Sequence, residues 1–147
     1  MKNLSILSLL TAAILLMGLT PNDKDEAAEK LDWSVLANVE WVWDSNFYQV
    51  KFNDNQKKLD GKEMIVEGFM FPLEYTRQHS NFLVSASPMS DCFFCGPGEA
   101  ESMVYVRTVE PIDYNHRPMA LQGTFHLVTD ASMGIIYELK DARLVNR

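Results

Sequence analysis

The chain has 147 residues and carries 13 basic against 20 acidic side chains, which gives a formal net charge of −7. Hydrophobic residues make up 47% and charged residues 22%, a balance typical of one globular domain and not of a disordered chain. The acidic balance argues against nucleic acid or an anionic membrane surface as partner, because phosphate binding needs clustered Lys and Arg. Composition alone therefore predicts a small acidic domain and leaves its function open.

The first twenty residues have the pattern of an export signal. Lys2 supplies one positive charge, and the run from Leu4 to Leu19 contains no charged residue. This run is shorter than the roughly 20 residues that a membrane-spanning helix needs, which favours a cleaved secretory signal over an anchor. We therefore expect residues 1–20 to be removed. The mature chain is expected to be periplasmic or extracellular, without an integral membrane span.

The remaining chain is predicted to be an acidic linker over residues 21–30 and a single β-barrel domain over residues 31–147. A helical turn is expected from Trp33 to Leu36. Apolar residues then alternate with a period of two, which indicates half-buried strands. The predicted strands cover residues 48–52, 64–73, 81–86, 103–109, 120–129 and a last strand at 135–139 and 142–145. The predicted fold is therefore all-β, a small five- to six-stranded barrel with a short N-terminal helical turn.

Glycine inside a strand has no side chain to pack and usually marks a bend or a close backbone approach. Gly68 and Gly123 both lie inside predicted strands. They are therefore predicted to be structural, and a β-branched residue at either position is expected to destabilise the fold.

The order of several segments carries a family resemblance. The most specific are Gly-Phe-Met-Phe-Pro-Leu-Glu at residues 68–74 and Leu-Lys-Asp-Ala at residues 139–142. Over residues 31–146 the chain resembles a family of small exported bacterial domains of unknown function, usually periplasmic proteins or lipoproteins. The resemblance implies an oligonucleotide/oligosaccharide-binding-type (OB-like) barrel and an accessory role in metal handling. The segment Asp-Cys-Phe-Phe-Cys-Gly-Pro-Gly at residues 91–98 differs, since many relatives place one Cys and a nearby His before a proline run.

Cys92 and Cys95 are the only cysteines and form a Cys-x-x-Cys pair. In an exported protein the pair is a local disulfide, half of a metal site, a redox-active dithiol or two free thiols. The redox alternative lacks the helix N-terminus that would stabilise a thiolate, because Gly96-Pro97-Gly98 follows the pair. The disulfide and the metal site are therefore the two leading interpretations.

Two thiolates make half of a tetrahedral zinc site, and histidines are the expected source of further ligands. His126 is the first candidate, because a strand holds its side chain in a fixed direction. His79 is the second candidate, although it precedes the strand from which the cysteine segment leaves and would need a folded-back segment to reach the thiols. Copper(I), held by the two thiolates, is the alternative to zinc. The third histidine, His116, is placed in a loop.

An aromatic-rich stretch follows the linker. Core packing is expected for it, and a stacking platform for sugar or base is the alternative. Its members are Trp33, Trp41, Trp43, Phe47 and Tyr48.

No phosphate loop, zinc-protease motif or nucleophile elbow is present in the sequence. The leading functional prediction is therefore an exported, non-catalytic accessory or binding domain whose Cys92/Cys95 segment binds a transition metal or forms a local disulfide. The first alternative is a protein-interaction module that docks onto an envelope or transporter complex through Phe93 and Phe94. The second is a thiol–disulfide exchange protein.

Overall fold

The structure is a computed structural model, and it describes residues 28–44, 47–88, 99–130 and 134–145. The predicted export signal, the Cys92/Cys95 pair and Phe93–Phe94 lie outside these ranges. The all-β prediction is confirmed, because the described residues form a closed five-stranded barrel with one added strand, a hairpin and short helices. The strands are β1 (Glu29–Lys30), β2 (Glu40–Asp44), β3 (Phe47–Lys51), β4 (Glu63–Pro72), β5 (Gln78–Ser85), β6 (Met103–Asp113), β7 (Met119–Leu127) and β8 (Tyr137–Leu144). The helices are α1 (Trp33–Leu36) and α2 (Asp54–Lys57), and a 3₁₀ turn covers Ala100–Ser102.

The barrel strands follow the order β4-β5-β6-β8-β7, and β7 pairs again with β4, which closes the ring. Within the ring all neighbours are antiparallel except β6 and β8, which are parallel. Strand β4 can serve two neighbours because residues 63–68 pair with β7 and residues 69–72 pair with β5. The change of partner follows Gly68, where the sequence predicts a bend. Strand β1, at the end of the predicted linker, adds in parallel to the first half of β4.

The core lies inside the ring, where alternate residues of each strand meet. Each fully buried Leu or Phe side chain contributes roughly 1.5–3 kcal/mol, and a register shift of one residue would turn that whole set outward. The burial of inward-facing residues therefore fixes the register of the five ring strands. The largest fully buried barrel side chains are Met64, Phe82, Leu121, Phe125, Ile136, Tyr137 and Leu139.

One end of the barrel is covered by α1 and α2, and we call it the plugged end. The predicted helical turn is confirmed as α1, and its Leu36 side chain is fully buried. Helix α2 begins with a capping box in which Asn53 and Gln56 bond each other's backbone N–H groups. Gln56 is fully buried and donates to the carbonyl of Leu36 (3.3 Å) and to Oη of Tyr137 (3.2 Å). Tyr137 in turn donates to the Leu36 carbonyl at 2.8 Å, so a hydrogen-bonded network holds the plug.

The core packing expected for the aromatic stretch is wrong for most of it. Strands β2 and β3 form a separate two-stranded sheet, which we call the aromatic hairpin, and its aromatic side chains face solvent. Trp33, which precedes the hairpin, is partly buried against the core. Its indole Nε1 donates to the Glu67 carbonyl at 2.9 Å. The exposed members are Trp41, Trp43, Phe47 and Tyr48.

Candidate functional site

The two ends of the barrel differ in their construction. At the plugged end, β5 finishes and β6 begins, and the Ala86 N–H donates to the Ser102 carbonyl at 3.1 Å. The opposite end, which we call the open end, is where residues 73–77 meet residues 114–118. There the Tyr114 N–H donates to the Arg77 carbonyl at 3.1 Å. A segment that is attached at one end of the barrel therefore starts about one strand length away from the other end.

The cysteine pair lies outside the described residues, but both attachment points of its segment are described. The chain leaves the barrel after Ser85 and returns to it at Met103, and these two residues pair with each other across β5 and β6. Both attachment points are therefore at the plugged end.

His126 lies at nearly the same level along the barrel as these two attachment points. Its backbone pairs with Glu138, Glu138 pairs with Tyr105, and Tyr105 pairs with Leu83. These four residues form one row across β7, β8, β6 and β5, and Ser85 is two residues beyond this row. The structure therefore brings His126 to the end of the barrel from which the cysteine segment leaves.

The His126 ring is oriented by a carboxylate. Its Nδ1 lies 3.4 Å from Oδ1 of Asp60, and the side chain is about one-third exposed. The same oxygen accepts the Leu127 N–H at 3.1 Å, which fixes the carboxylate. When Nδ1–H faces a carboxylate, the lone pair of the neutral imidazole is on Nε2, the usual arrangement of a metal-bound histidine. From the sequence, Asp60 can be assigned only to a turn, because its partner His126 lies 66 residues away in the chain.

A second charged cluster lies beside His126 on the outside of the barrel. The nearly buried carboxylate of Glu138 accepts from Nε of Arg107 at 2.6 Å and lies 3.5 Å from Nζ of Lys140. Cζ of Arg107 also lies 5.3 Å from the centre of the Tyr105 ring. Two cations already neutralise this carboxylate, so its main role is to hold the outer face of β6 and β8 together. Period-two alternation predicts polar outer residues here, but the Arg107–Glu138 contact depends on the parallel pairing of two distant strands.

His79 lies at the open end and is almost fully buried. Its Nδ1 is 3.4 Å from Oγ1 of Thr76, and that hydroxyl donates its hydrogen to the Gln78 carbonyl at 2.8 Å. Thr76 therefore accepts from Nδ1–H, which leaves the lone pair on Nε2, an atom without a hydrogen-bond partner within the described residues. His79 and Ser85 are six residue steps apart along β5, a span of roughly 20 Å. The structure does not bring His79 and His126 together.

Two adjoining clefts occupy the open end. Their volumes are about 640 Å³ and 470 Å³, and they share Asp113 and Tyr114 as a common wall. The smaller cleft is lined by His79 and by the charged side chains of Glu74 and Arg77. Both volumes are in the range of small-molecule sites. Sequence reasoning missed these clefts, because residues 73–77 and 114–118 are brought together by the pairing of β5 with β6, whose register the sequence does not reveal.

The described part of the chain does not hold a metal centre by itself. Within it, no group of three or more His, Cys, Asp or Glu side chains is arranged to bind a metal ion. A metal at the plugged end would therefore need Cys92 and Cys95. In the same described residues, no helix is long and apolar enough to cross a membrane.

No family model and no curated protein matches the sequence. Among solved structures, the chain is similar to the crystal structure of a DUF3299 family protein from Pseudomonas aeruginosa PAO1, with a TM-score of 0.57. The match covers 82% of this chain and 98% of that chain, and the sequences are 19% identical. At this identity the likeness shows the fold alone. The chain is therefore similar, in its barrel, to a member of a family of domains of unknown function.

Proposed function

We propose that the chain is an exported, non-catalytic accessory domain that binds a transition metal through Cys92, Cys95 and His126. The observation that carries the proposal is the position of His126. Its Nδ1 lies beside the Asp60 carboxylate, at the barrel end where both attachment points of the cysteine segment lie. Two thiolates and one imidazole would leave the fourth position of a tetrahedral zinc ion for water or for a ligand from a partner.

Zinc is the metal that this donor set favours. Thiolates suit both zinc and copper(I), whereas an imidazole with a carboxylate behind it is typical of zinc sites. The Asp60 carboxylate would fix the orientation of the His126 ring and increase its basicity. Copper(I), bound by the two thiolates alone, is the alternative, and it would not depend on His126.

Export and the type of barrel belong to the same proposal. Export is supported by the uncharged run from Leu4 to Leu19 behind a single lysine. An OB-type barrel is supported by the ring of five strands, in which β8 lies between β6 and β7 and so gives a Greek-key connection.

The test is metal analysis together with thiol titration of the full chain, purified from the envelope of an expressing bacterium. We expect about one zinc ion per chain. Cys92→Ser should abolish it, and His126→Gln should lower zinc affinity about tenfold or more. His116→Gln is the matched control, because this exposed histidine lies in the loop at the open end, and its zinc content should equal that of the unsubstituted protein.

Three results would contradict the metal proposal. Metal-free protein with both thiols oxidised would indicate the local disulfide and favour the interaction module. Metal-free protein with two reactive thiols would indicate that the pair is two free thiols. Copper bound equally by the unsubstituted chain and by His126→Gln would remove the histidine from the site.

A further inference from the structure

The register of β5 turns His79 into the mouth of the barrel at the open end. Phe82 points into the core, so strict alternation along β5 would place residue 79 on the outer face. The pairing with β6 is instead irregular immediately after His79. Ser80 is exposed, whereas His79 is 4% exposed and shares the inner face with its cross-strand partner Ile112, a core residue. Irregular pairing at a barrel rim often re-aims a side chain in this way beside a functional site.

The His79 ring presents a hydrogen-bond acceptor that has no partner within the described residues. Because the Thr76 hydroxyl accepts from Nδ1–H, the lone pair is on Nε2, which is closed to solvent and unpaired. Buried polar atoms nearly always have a hydrogen-bond partner, so this nitrogen indicates a group that donates to it. The Tyr114 ring lies beside the imidazole, with ring centres 6.5 Å apart, and is about half exposed. Rotation of the Tyr114 ring can therefore open a path from the smaller cleft to Nε2.

The wall that the two clefts share favours a cation. It is formed by Asp113 and Tyr114. The carboxylate of Asp113 makes no ion pair or hydrogen bond with the rest of the described chain. The face of an aromatic ring such as that of Tyr114 attracts an ammonium group. A positive group at this wall would therefore meet both a free carboxylate and an aromatic face.

The charge around both clefts has the same sign as this wall. Carboxylates outnumber guanidinium groups there by three to two, and none of the five forms an ion pair within the described ranges. The whole chain is acidic as well, with a net charge of −7, which raises the local concentration of cations. The five groups are Glu74, Arg77, Glu110, Asp113 and Arg143.

An ammonium group suits this site better than a metal ion or a hydroxyl group. Among the described residues, no three His, Cys, Asp or Glu side chains are arranged to bind a metal ion. A hydroxyl could donate to Nε2 of His79 but would gain nothing from the charge of Asp113. A protonated primary amine has three N–H donors and can serve the imidazole and the carboxylate, both of which line the smaller cleft.

We propose that the open end of the barrel binds a small organic ligand through a protonated primary amine. The ammonium group lies against the Asp113 carboxylate and the Tyr114 ring, and one of its N–H groups donates to Nε2 of His79. The volumes of the two clefts leave room for the rest of the ligand. This site is separate from the proposed metal site, since His79 and His126 lie at opposite ends of the barrel.

The experiment observes Nε2 of His79 directly. The full chain is labelled with ¹⁵N-histidine, and long-range ¹H–¹⁵N NMR is recorded at about pH 8, where the ordinary histidine pKa leaves the ring neutral. The probes are benzylammonium, benzyl alcohol and benzoate, which share one ring and differ in the charge of the substituent. We expect benzylammonium to move the Nε2 signal of His79 saturably and to leave that of His126 unchanged. Benzyl alcohol and benzoate should bind at least about tenfold more weakly.

Variants separate the three contacts, with affinity measured from the shift of the Tyr114 backbone amide. His79→Phe keeps a ring and removes the acceptor, so it should weaken benzylammonium binding about fivefold or more. Asp113→Asn should weaken it about threefold or more. Glu99→Gln is the matched control, because it removes the same charge from an exposed side chain at the plugged end, and it should bind like the unsubstituted chain. Circular dichroism confirms that each variant is folded.

Three results would overturn the proposal. The first is an Nε2 signal of His79 that benzylammonium does not move. The second is equal affinity for benzylammonium and benzyl alcohol, which would remove the charge from recognition. The third is an equal loss of affinity in Asp113→Asn and Glu99→Gln, which would indicate attraction to the whole acidic chain instead of this cleft. None of these readouts involves Cys92 or Cys95, so they stay distinct from the metal test.

Discussion

Gly68 and Gly123 are positions where neighbouring strands approach too closely for a side chain. A Cβ atom built on Gly68 would overlap the carbonyl oxygen of Ser85. A Cβ atom on Gly123 would overlap the carbonyl oxygen of Lys140 and lie 3.0 Å from Cα of Ala142. These obstacles are backbone atoms, which cannot rotate aside. The close approach that the sequence predicts at both glycines is therefore present.

We expect Gly68→Val and Gly123→Val each to lower the free energy of unfolding by roughly 3 kcal/mol, because the strands must move apart. Urea unfolding followed by circular dichroism measures the change. Gln122→Val is the matched control, since residue 122 is exposed on the same strand, and it should change stability by less than about 0.5 kcal/mol. Unchanged midpoints for the glycine variants would show that the barrel bends elsewhere.

Tyr137 makes stability depend on alkaline pH. Burial raises the pKa of its phenol well above the ordinary value, and the negative charge of Glu101 adds to the rise. In the unfolded chain the phenol loses its proton above about pH 10, while in the folded chain it keeps it. The folded state then binds more protons, so the free energy of unfolding falls as pH rises above about 10, by up to about 1.4 kcal/mol per pH unit.

Tyr137→Phe should remove this contribution. Between pH 9 and 11 its loss of stability is expected to be roughly 1 kcal/mol smaller than that of the unsubstituted protein. At neutral pH the variant should be less stable by about 1 kcal/mol, because the hydrogen bond to the Leu36 carbonyl is lost. Urea unfolding at three pH values measures both effects. Tyr75→Phe, on a fully exposed side chain, is the control, and an equal effect there would contradict the assignment.

Which residues could be recognised from the sequence depends on where their partners lie. Gly68 stands out because its own strand pattern is local. Asp60 does not, since its role comes from His126 and the Leu127 amide. Glu138 likewise acquires Arg107 as a neighbour only when β8 enters the ring beside β6, whereas Lys140 lies on its own strand. Residue type and spacing could therefore predict the candidate histidine, but not the carboxylate behind it.

The aromatic hairpin is the element whose own stability is lowest. It has two strands, its faces are largely exposed, and an isolated two-stranded sheet is marginally stable in water. We expect amide hydrogens in β2 and β3 to exchange at least about 100-fold faster than those in β6 and β7. Hydrogen–deuterium exchange with mass spectrometry measures this. Equal protection of hairpin and barrel would show that the hairpin is held by contacts beyond those described.

Several elements show where local patterns mislead. The strand predicted at 48–52 ends as expected, since β3 ends at Lys51, but the helix that follows was missed: Asn53 caps α2, and Gln56 completes its capping box. The last strand is continuous from Tyr137 to Leu144, and the gap left between 139 and 142 in its predicted range contains a left-handed residue, Asp141 at φ 52°. A sequence pattern thus locates the point where a regular strand is interrupted more reliably than it identifies the structure found there.

The aromatic stretch shows the same limit at the scale of an element. Hydrophobic side chains predict burial on average, but the sequence does not say whether a strand joins the barrel or stands apart from it. Strand β2 was not predicted at all, because Trp41, Val42 and Trp43 are consecutive and show no alternation. The choice between core and exposed platform depends on the sheet to which the strand belongs.

At the scale of the whole molecule, the expected export can be tested by measuring the intact mass of the mature protein. When the full-length gene is expressed in a bacterium, we expect the mature protein to lack about twenty N-terminal residues, because the uncharged run has the pattern of a cleavable signal. Intact-mass measurement of protein from the envelope fraction checks this. A charged residue placed in the run, as in Leu10→Arg, should retain the precursor inside the cell. A full-length chain found only in detergent extracts would contradict cleavage.

A small all-β barrel was predictable from the sequence, and so was the distance of His79 from the attachment of the cysteine segment, whereas the end at which His126 lies was not. Five period-two segments with turns between them favour a small barrel, and the solved DUF3299 protein has a similar fold. The separation of His79 from His126 depends on strand direction and on which residues pair. Strand direction and strand pairing are set when the barrel folds, and a sequence pattern does not contain them.

The place of β8 in the ring has a consequence for how the chain folds. β8 is the last of the ring strands in chain order and lies between β6 and β7, so until it is in place both of those strands have an open edge. The barrel therefore cannot close before residue 144 has left the ribosome. A truncation that removes residues 137–144 would take away a strand bonded on both sides. If the chain is exported, as we propose, late closure would keep it in the unfolded form that passes through an export channel.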